Sequence, residues 1–272
     1  MQITSRFKNW SSIGNKRADL ALNHKGFDSG IISKKITRKI SAPIAKFLYN
    51  QNKNINPNHL TLISTGIGLG AAVVFYLSEG NPLYAISGGL LIQLSYIIDE
   101  VDGDYARYLS ESQRSAVQKS FGEYLDTVTD RIVDIAIIYG MGIYLSNVFP
   151  ESWWVLPLTF ATMSFSLIAS YTRHQIIKIY SKYRNMKYYI PSGVNFATRD
   201  VRLFMFFLGG LSEGLSYISP IPRGFFLALS MIVVFFFHLV KLINSFFELK
   251  RNLNNLRNIE VIGKNKERKS DR

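Results

Sequence analysis

The stretch "DEVDGDYAR", residues 99–107, crowds four carboxylates and an arginine into nine positions directly after an apolar run. A second set follows, in which Gly122, Asp126, Asp130 and Asp134 recur at every fourth position. At about 100° per residue, Asp99, Asp102, Gly103 and Ala106 share one helix face, with Arg107 at its edge. Glu100 and Asp104 point elsewhere, which predicts a solvated or interfacial place for both. Asp99, Asp102, Asp126 and Asp130 facing one cavity would repel each other unless a cation neutralises them. An all-oxygen donor set suits Mg²⁺ or Mn²⁺, ions that hold pyrophosphates and stabilise charge in phosphoryl transfer. Gly103 and Ala106 leave room on that face for a bulky ligand or a close helix. Two other readings stay open for the same residues. One is a transporter that couples to cations or protons; the other is structural pairing with Arg107, Lys119 or Arg131. An EF-hand is excluded, because glycine falls at the fifth position of the loop and the alternating acids are missing.

The elements that must carry these acids are membrane helices. Of the 272 residues, 47% are hydrophobic, and six segments are long and apolar enough to span about 30 Å of hydrocarbon. They lie near 59–78, 82–99, 122–146, 152–172, 201–219 and 222–247. The third is weakened by its acids and the fifth by Glu213. Short turns carrying Pro or Gly ("SEGNP", "NVFPES", "SPIP") join them into hairpins. The fold class expected is therefore all-α and integral to the membrane, six transmembrane helices behind an N-terminal amphipathic helix. That helix covers residues 31–49, where Ile32, Ile36, Ile40, Ile44 and Leu48 repeat beside Lys34, Lys35, Arg38, Lys39 and Lys46. Pro43 is expected to kink it. The organisation reads as an N-terminal segment (1–54), a six-span domain (55–249) and a basic tail (250–272) expected to be disordered or loosely held on anionic lipid. No internal repeat is present.

Charge sets the orientation. The net charge is +13, and 30 of the 32 Lys and Arg residues fall on the side that holds both termini and the two longer loops. Only Arg131, inside a span, and Arg223, on the opposite face, depart from that pattern. The positive-inside rule places the termini, the loops and the acid-bearing helix ends in the cytoplasm, in a protein of the cell membrane. The basic excess is thus topological, and the spans leave no basic soluble face for nucleic acid. With no cysteine there are no disulfides and no thiolate chemistry. The first 30 residues hold no apolar stretch of signal-peptide length, so no cleaved leader is expected.

The full pattern, Asp99-x2-Asp102-Gly103-x2-Ala106-Arg107 followed by Gly122-x3-Asp126-x3-Asp130, resembles the signature of the CDP-alcohol phosphotransferases. The stretch "INPNHLTLIS" (55–64) is similar to the Pro-Asn-x-x-Thr element that opens the first span of that family. The resemblance covers roughly residues 30–250 and implies six-span membrane enzymes with a cytoplasm-facing site. It implies that Asp99, Asp102 and Asp126 ligate Mg²⁺ or Mn²⁺, with Asp130 as general base and further metal contact. Asn58, Thr61, Asp102, Gly103, Ala106, Arg107 and Gly122 would border the nucleotide, with Arg107 fixing local structure by pairing. The substrates implied are a CDP-linked alcohol or lipid as donor and a hydroxyl acceptor, CMP being released. One departure stands out: 14 residues separate Arg107 from Gly122, more than the family usually has, which calls for extra helical turns or a small loop. Asp134 lies outside the signature, deeper on the stripe, and is expected to pair with a buried polar group.

Cations recur where spans four to six meet the cytoplasm: Arg173, His174, Arg199, Arg202, His238 and Lys241. Arg173, Arg199, Arg202 and Lys241 are candidates to bind a phosphate on the acceptor, although the positive-inside rule alone puts cations there. The segment "GIISKKITRKISAPIAKFL" resembles the approach to the first span in archaeal, inositol-phosphate-using members, which points to a phosphorylated polyol as acceptor. "GIGLGAAV" in the first span and the pair Gly209–Gly210 are permissive of a homodimer.

Overall fold

The computed structural model describes residue 30 and residues 32–109, 115–182 and 196–270. Most of the N-terminal segment, the middle of the long spacer and much of the basic loop after span four lie outside the described residues. Every element among those described is helical. A π-helical turn, Ser33–Thr37, leads into α1 (Arg38–Gln51). Then come α2 (Pro57–Tyr76), α3 (Pro82–Tyr108), α4 (Ala116–Val148), α5 (Val155–Lys182), α6 (Arg199–Ser212) and α7 (Phe225–Ser270). A 3-10 turn, Glu213–Tyr217, follows α6.

Local chemistry explains several of these boundaries. Asn56 and Asn81 cap α2 and α3 by accepting from the backbone N–H two residues on, at 3.1 and 3.0 Å. Each is followed by a proline at the first helical position, where the missing N–H costs nothing. Ser115 and Gln118 form a capping box that starts α4 six residues before Gly122. The long spacer is therefore partly absorbed as extra helix on α4. Pro43 lies inside α1, as the sequence requires.

By length and composition, Pro57–Tyr76, Val155–Arg173 and Phe225–Arg251 can cross a membrane. Their outward faces carry large apolar side chains, including Leu62, Val73, Phe160, Phe236 and Phe246. The chain is an all-helical membrane protein. α6 stops short of the predicted span end because Glu213 turns inward: its carboxylate accepts from Gly224 N (2.7 Å), Leu227 N (3.0 Å) and the Tyr144 hydroxyl (3.1 Å). An acid that weakened the span on paper thus satisfies open N–H groups at the start of α7. The tail corrects the sequence expectation of disorder, since α7 runs on as helix to Ser270. Residues 250–262 contain no Pro or Gly to stop it.

α2 leans on both α3 and α4, while those two scarcely touch each other directly. α6 packs on α3 and α7, and α5 packs on α4 and α7. Close approach depends on small residues. A Cβ at Gly140 would stand 2.6 Å from the Ala72 carbonyl oxygen, and one at Gly210 the same distance from that of Ala85. Gly70 faces open space. We therefore expect Gly140→Ala to destabilise by about 1–3 kcal/mol, since a backbone carbonyl cannot yield as a side chain can. Gly70→Ala should shift stability by no more than about 1 kcal/mol. Thermal unfolding midpoints in detergent compare the two.

Candidate active site

With α2 wedged between α3 and α4, the acid-bearing ends of the latter pair face each other across a cleft rather than a packed seam. Asp99 on α3 and Asp126 and Asp130 on α4 bring carboxylate oxygens within 4.8 Å of one another. The side chains of Asp99 and Asp130 are 15% and 14% exposed, so the group is sheltered yet reachable. This donor set, three carboxylates and no nitrogen or sulfur, fits a hard divalent cation.

Asp102, the fourth expected ligand, lies outside that group. Its Oδ2 accepts from the Thr61 hydroxyl at 2.6 Å. Asp102 lies inside α3 and is 8% exposed, with Asp99 of the same helix face nearby. A carboxyl so placed gains from any added positive charge.

Arg199, at the start of α6, reaches into the cluster: its Nη1 lies 2.6 Å from Asp99 Oδ2 and 2.7 Å from Asp130 Oδ1. Its side chain is only 16% exposed, so the guanidinium charge is balanced by these acids rather than by solvent. Spacing alone offered no way to see this contact, because 100 residues separate Arg199 from Asp99.

Behind the cluster sits a second layer. Asp134 pairs with Arg202, with Arg131 at 3.2 Å and with Arg199 at 3.6 Å, which meets the expectation of a buried polar partner. Arg202 is 2% exposed and also donates to Ser166 Oγ (2.6 Å) and His238 Nε2 (3.1 Å). His238 donates from Nδ1 to the Val234 carbonyl (2.7 Å), which fixes the tautomer that lets Nε2 accept. Arg202 is thereby committed inside the bundle. Lys241 donates to the Ala197 carbonyl at 2.7 Å, half-buried. Arg173 lies on α5 and is also half-buried. Of the four cations proposed for an acceptor phosphate, Arg199 and Arg202 are thus engaged with acids.

The residues expected beside the nucleotide lie on α2, α3 and α4. Asn58 helps line a cavity of about 570 Å³, walled by residues 53–58, Leu109, Val117, Gln118 and Phe121. Thr61 lies one turn deeper on α2. A Cβ on Gly103 would meet only the Arg107 guanidinium, at 3.6 Å, so that face of α3 is open. Ala106 on α3 and Gly122 on α4 are half-buried. Arg107 pairs with Asp104.

Of the two acids expected to be solvated or interfacial, Asp104 is a correction and Glu100 is half-buried. Asp104 is 2% exposed and accepts from Ser41 Oγ at 2.7 Å. Glu100 accepts from Ser33 Oγ and the Tyr96 hydroxyl, both at 2.8 Å. Helical phase did turn them away from the other acids, but the segment ahead of α2 covers the face they point to. A signal was available: Ser33, Thr37, Ser41 and Ala45 repeat at i+4, a small-residue stripe alongside the isoleucines, and all four are buried.

Asp134→Ala should be strongly destabilising, by about 3–5 kcal/mol, because it strands the Arg202 charge. Asp134→Ala combined with Arg202→Met should recover much of the loss, and thermal unfolding in detergent separates the two variants.

Residues 54–246 match the CDP-alcohol phosphatidyltransferase family. A bifunctional IPC transferase and DIPP synthase of Aquifex aeolicus is 29% identical over 186 residues, 66% of this chain and 38% of its own length. The protein of the same description from Archaeoglobus fulgidus is 32% identical over 205 residues, 74% of this chain and 36% of its own. The chain thus spans little more than a third of these relatives. Among solved structures, phosphatidylinositol phosphate synthase of Mycobacterium tuberculosis with CDP-DAG bound shares the fold. Its TM-score is 0.55 at 20% identity, over 78% of this chain and 94% of that one.

Proposed function

The chain belongs to the CDP-alcohol phosphatidyltransferase family, and on that premise we propose that it transfers a phosphoalcohol group from a CDP-linked alcohol to a hydroxyl acceptor, releasing CMP. The product would be a phospholipid or an inositol phosphodiester. The observation that carries this reading is the convergence of Asp99, Asp126 and Asp130 from two helices into one cleft.

In this reading Asp99, Asp126 and Asp130 hold Mg²⁺ or Mn²⁺, with Asp102 close behind and steadied by Thr61. A cation held there would supply positive charge that offsets the donor's pyrophosphate, the phosphorus–oxygen bond to CMP being the one that breaks. Asp130 takes the proton of the acceptor hydroxyl as the new oxygen–phosphorus bond forms. The cavity beside Asn58, the open face at Gly103 and Ala106, and Gly122 leave room for the nucleotide. Arg107, held by Asp104, frames that side. Arg199 is placed to meet anionic substrate, and Arg173 and Lys241 lie on the helices that flank it. A phosphorylated polyol is the acceptor class favoured, given inositol phosphate in the names of family members from Streptomyces avermitilis and Pyrococcus horikoshii.

For topology, α2 to α7 form the six spans of a core over residues 55–249, with both termini and the site on the cytoplasmic side, and residues 250–272 form a basic extension. The N-terminal helix lies along the membrane surface, where Ile36, Ile40, Ile44 and Phe47 are exposed beside Lys35 and Lys39.

The test is a matrix of CDP-donors against hydroxyl acceptors, with and without a phosphate, assayed for CMP in detergent. Mg²⁺ or Mn²⁺ should be required, and chelation should abolish release. Asp130→Asn should lower turnover by roughly 10²–10⁴-fold, and Asp99→Ala should do so at least as far. Full activity in either variant would sink the assignment, and substrate flux into liposomes without CMP would favour a transporter instead.

A further inference from the structure

Three acids with no part in that chemistry each stand beside a residue that has one. Glu100 follows Asp99, Asp104 comes two after Asp102, and Asp200 follows Arg199. All three turn to the same object, the helical segment that runs from Ile32 to Gln51. Asp200 Oδ2 accepts from the backbone N–H groups of Ile32 (3.0 Å) and Ser33 (3.1 Å), capping that segment from α6. Glu100 accepts from Ser33 Oγ and lies 3.5 Å from Arg38 Nε. Asp104 accepts from Ser41 Oγ. Next to it, the Tyr105 hydroxyl donates to the Asn52 carbonyl at 2.8 Å.

Apolar packing divides in the same way. The main core of the bundle takes its last α3 members at Ile92 and Tyr96. Beyond them, Val101 and Tyr105 pack in a separate small cluster with Ala45, Leu48 and Tyr49 of α1. Tyr49 stacks on Tyr108 at 5.6 Å and meets Tyr105 edge-on at 6.2 Å. Gly30 completes the fit, since a Cβ there would stand 1.9 Å from Asp200 Oδ1.

The structure assigns Glu100, Asp104 and Asp200 as positioning residues: they strap the N-terminal helix across the seam between α3 and α6 and so set the aim of Asp99 and Arg199. The assignment rests on the metal-site reading above. Its physical basis is leverage. Side-chain ends lie about 5–6 Å from a helix axis, so a rotation of about 10° moves a carboxylate oxygen by roughly 1 Å. That is about half of a Mg²⁺–oxygen bond, and Mg²⁺ demands near-ideal geometry. Past Tyr96 the main core no longer reaches α3; Leu60 and Thr61 of α2 hold one side of it, and the strap holds the side that Glu100 and Asp104 face. Because the strap also caps itself on Asp200, both members of the Asp99–Arg199 pair are held by one element.

The test removes the ties from the helix side, leaving every acid in place. Ser33→Ala with Ser41→Ala deletes two hydroxyl donors, Arg38→Gln deletes the ion pair, and Gly30→Ala displaces Asp200. Mn²⁺ binding to the full chain in detergent, read by EPR, should weaken roughly tenfold in the double serine variant. Arg38→Gln and Gly30→Ala should weaken it in the same direction, while the variants elute as the wild type does. A role limited to holding the surface helix in place would leave Mn²⁺ affinity unchanged, and that result overturns the strap alone. A wild-type chain that binds no Mn²⁺ overturns the metal reading and the strap with it.

Discussion

Asp99, Asp126, Asp130 and Asp134 share one polar pocket of an otherwise apolar bundle, and their mutual repulsion governs what surrounds them. Two carboxylates about 5 Å apart repel by about 3 kcal/mol at an effective dielectric of 20. A cluster of four would be prohibitive without nearby positive charge. Arg131 on α4 and Arg199 and Arg202 on α6 supply it, each within ion-pair distance of at least one of these acids. The deeper pair, Asp134 with Arg202, is sealed and further satisfied by Ser166 and His238. Asp99 and Asp130, further out, share Arg199 and stay partly accessible. That gradient from closed to open separates a structural charge pair from one able to exchange partners with a ligand.

Space for such exchange comes from the packing order. Had α3 and α4 packed as a direct hairpin, their acids would have been pressed together. α2 intervenes instead, and close approach at Gly140 and Ala72 draws it against α4. Gly210 meets Ala85 and Gly89 in the same manner, bringing α6 to α3 and Arg199 to Asp99. Small residues thus fix the distances between helix axes, while the apolar faces left outside are matched to lipid.

Much of this was legible in the sequence because it is periodic. The i+4 acid stripe, the division of "DEVDGDYAR" into two faces, and the Asn-Pro helix starts are local, and the helix geometry follows from them. Contacts across long stretches of chain were not legible. Asp200 reaching Ile32, 168 residues away, has no local signature. Asp104 read as solvated because phase tells which way a side chain points, not what stands there. Arg199 read as a candidate for an acceptor phosphate or a cation of topology, since the positive-inside rule explains a basic residue without saying what it pairs with. Asp102 carries the motif spacing of a ligand, and its hydrogen bond from the Thr61 hydroxyl, 41 residues away, has no local signature either.

The ion pairs also impose an order on biosynthesis. Asp99 leaves the ribosome 100 residues before Arg199, and Asp134 precedes Arg202 by 68. Only Arg131 travels with the acids. A carboxylate costs about 2.5–3.5 kcal/mol at the centre of a bilayer and less toward its surface, so the acids go without most of their compensating charge until α6 is made. Arrival of α6 both neutralises them and draws the N-terminal helix onto Asp200, which joins the start of the chain to one of its last membrane elements. Completion of the charge cluster is thus a late step of assembly, and a nascent chain that stops before residue 199 carries its acids without their two principal counter-ions.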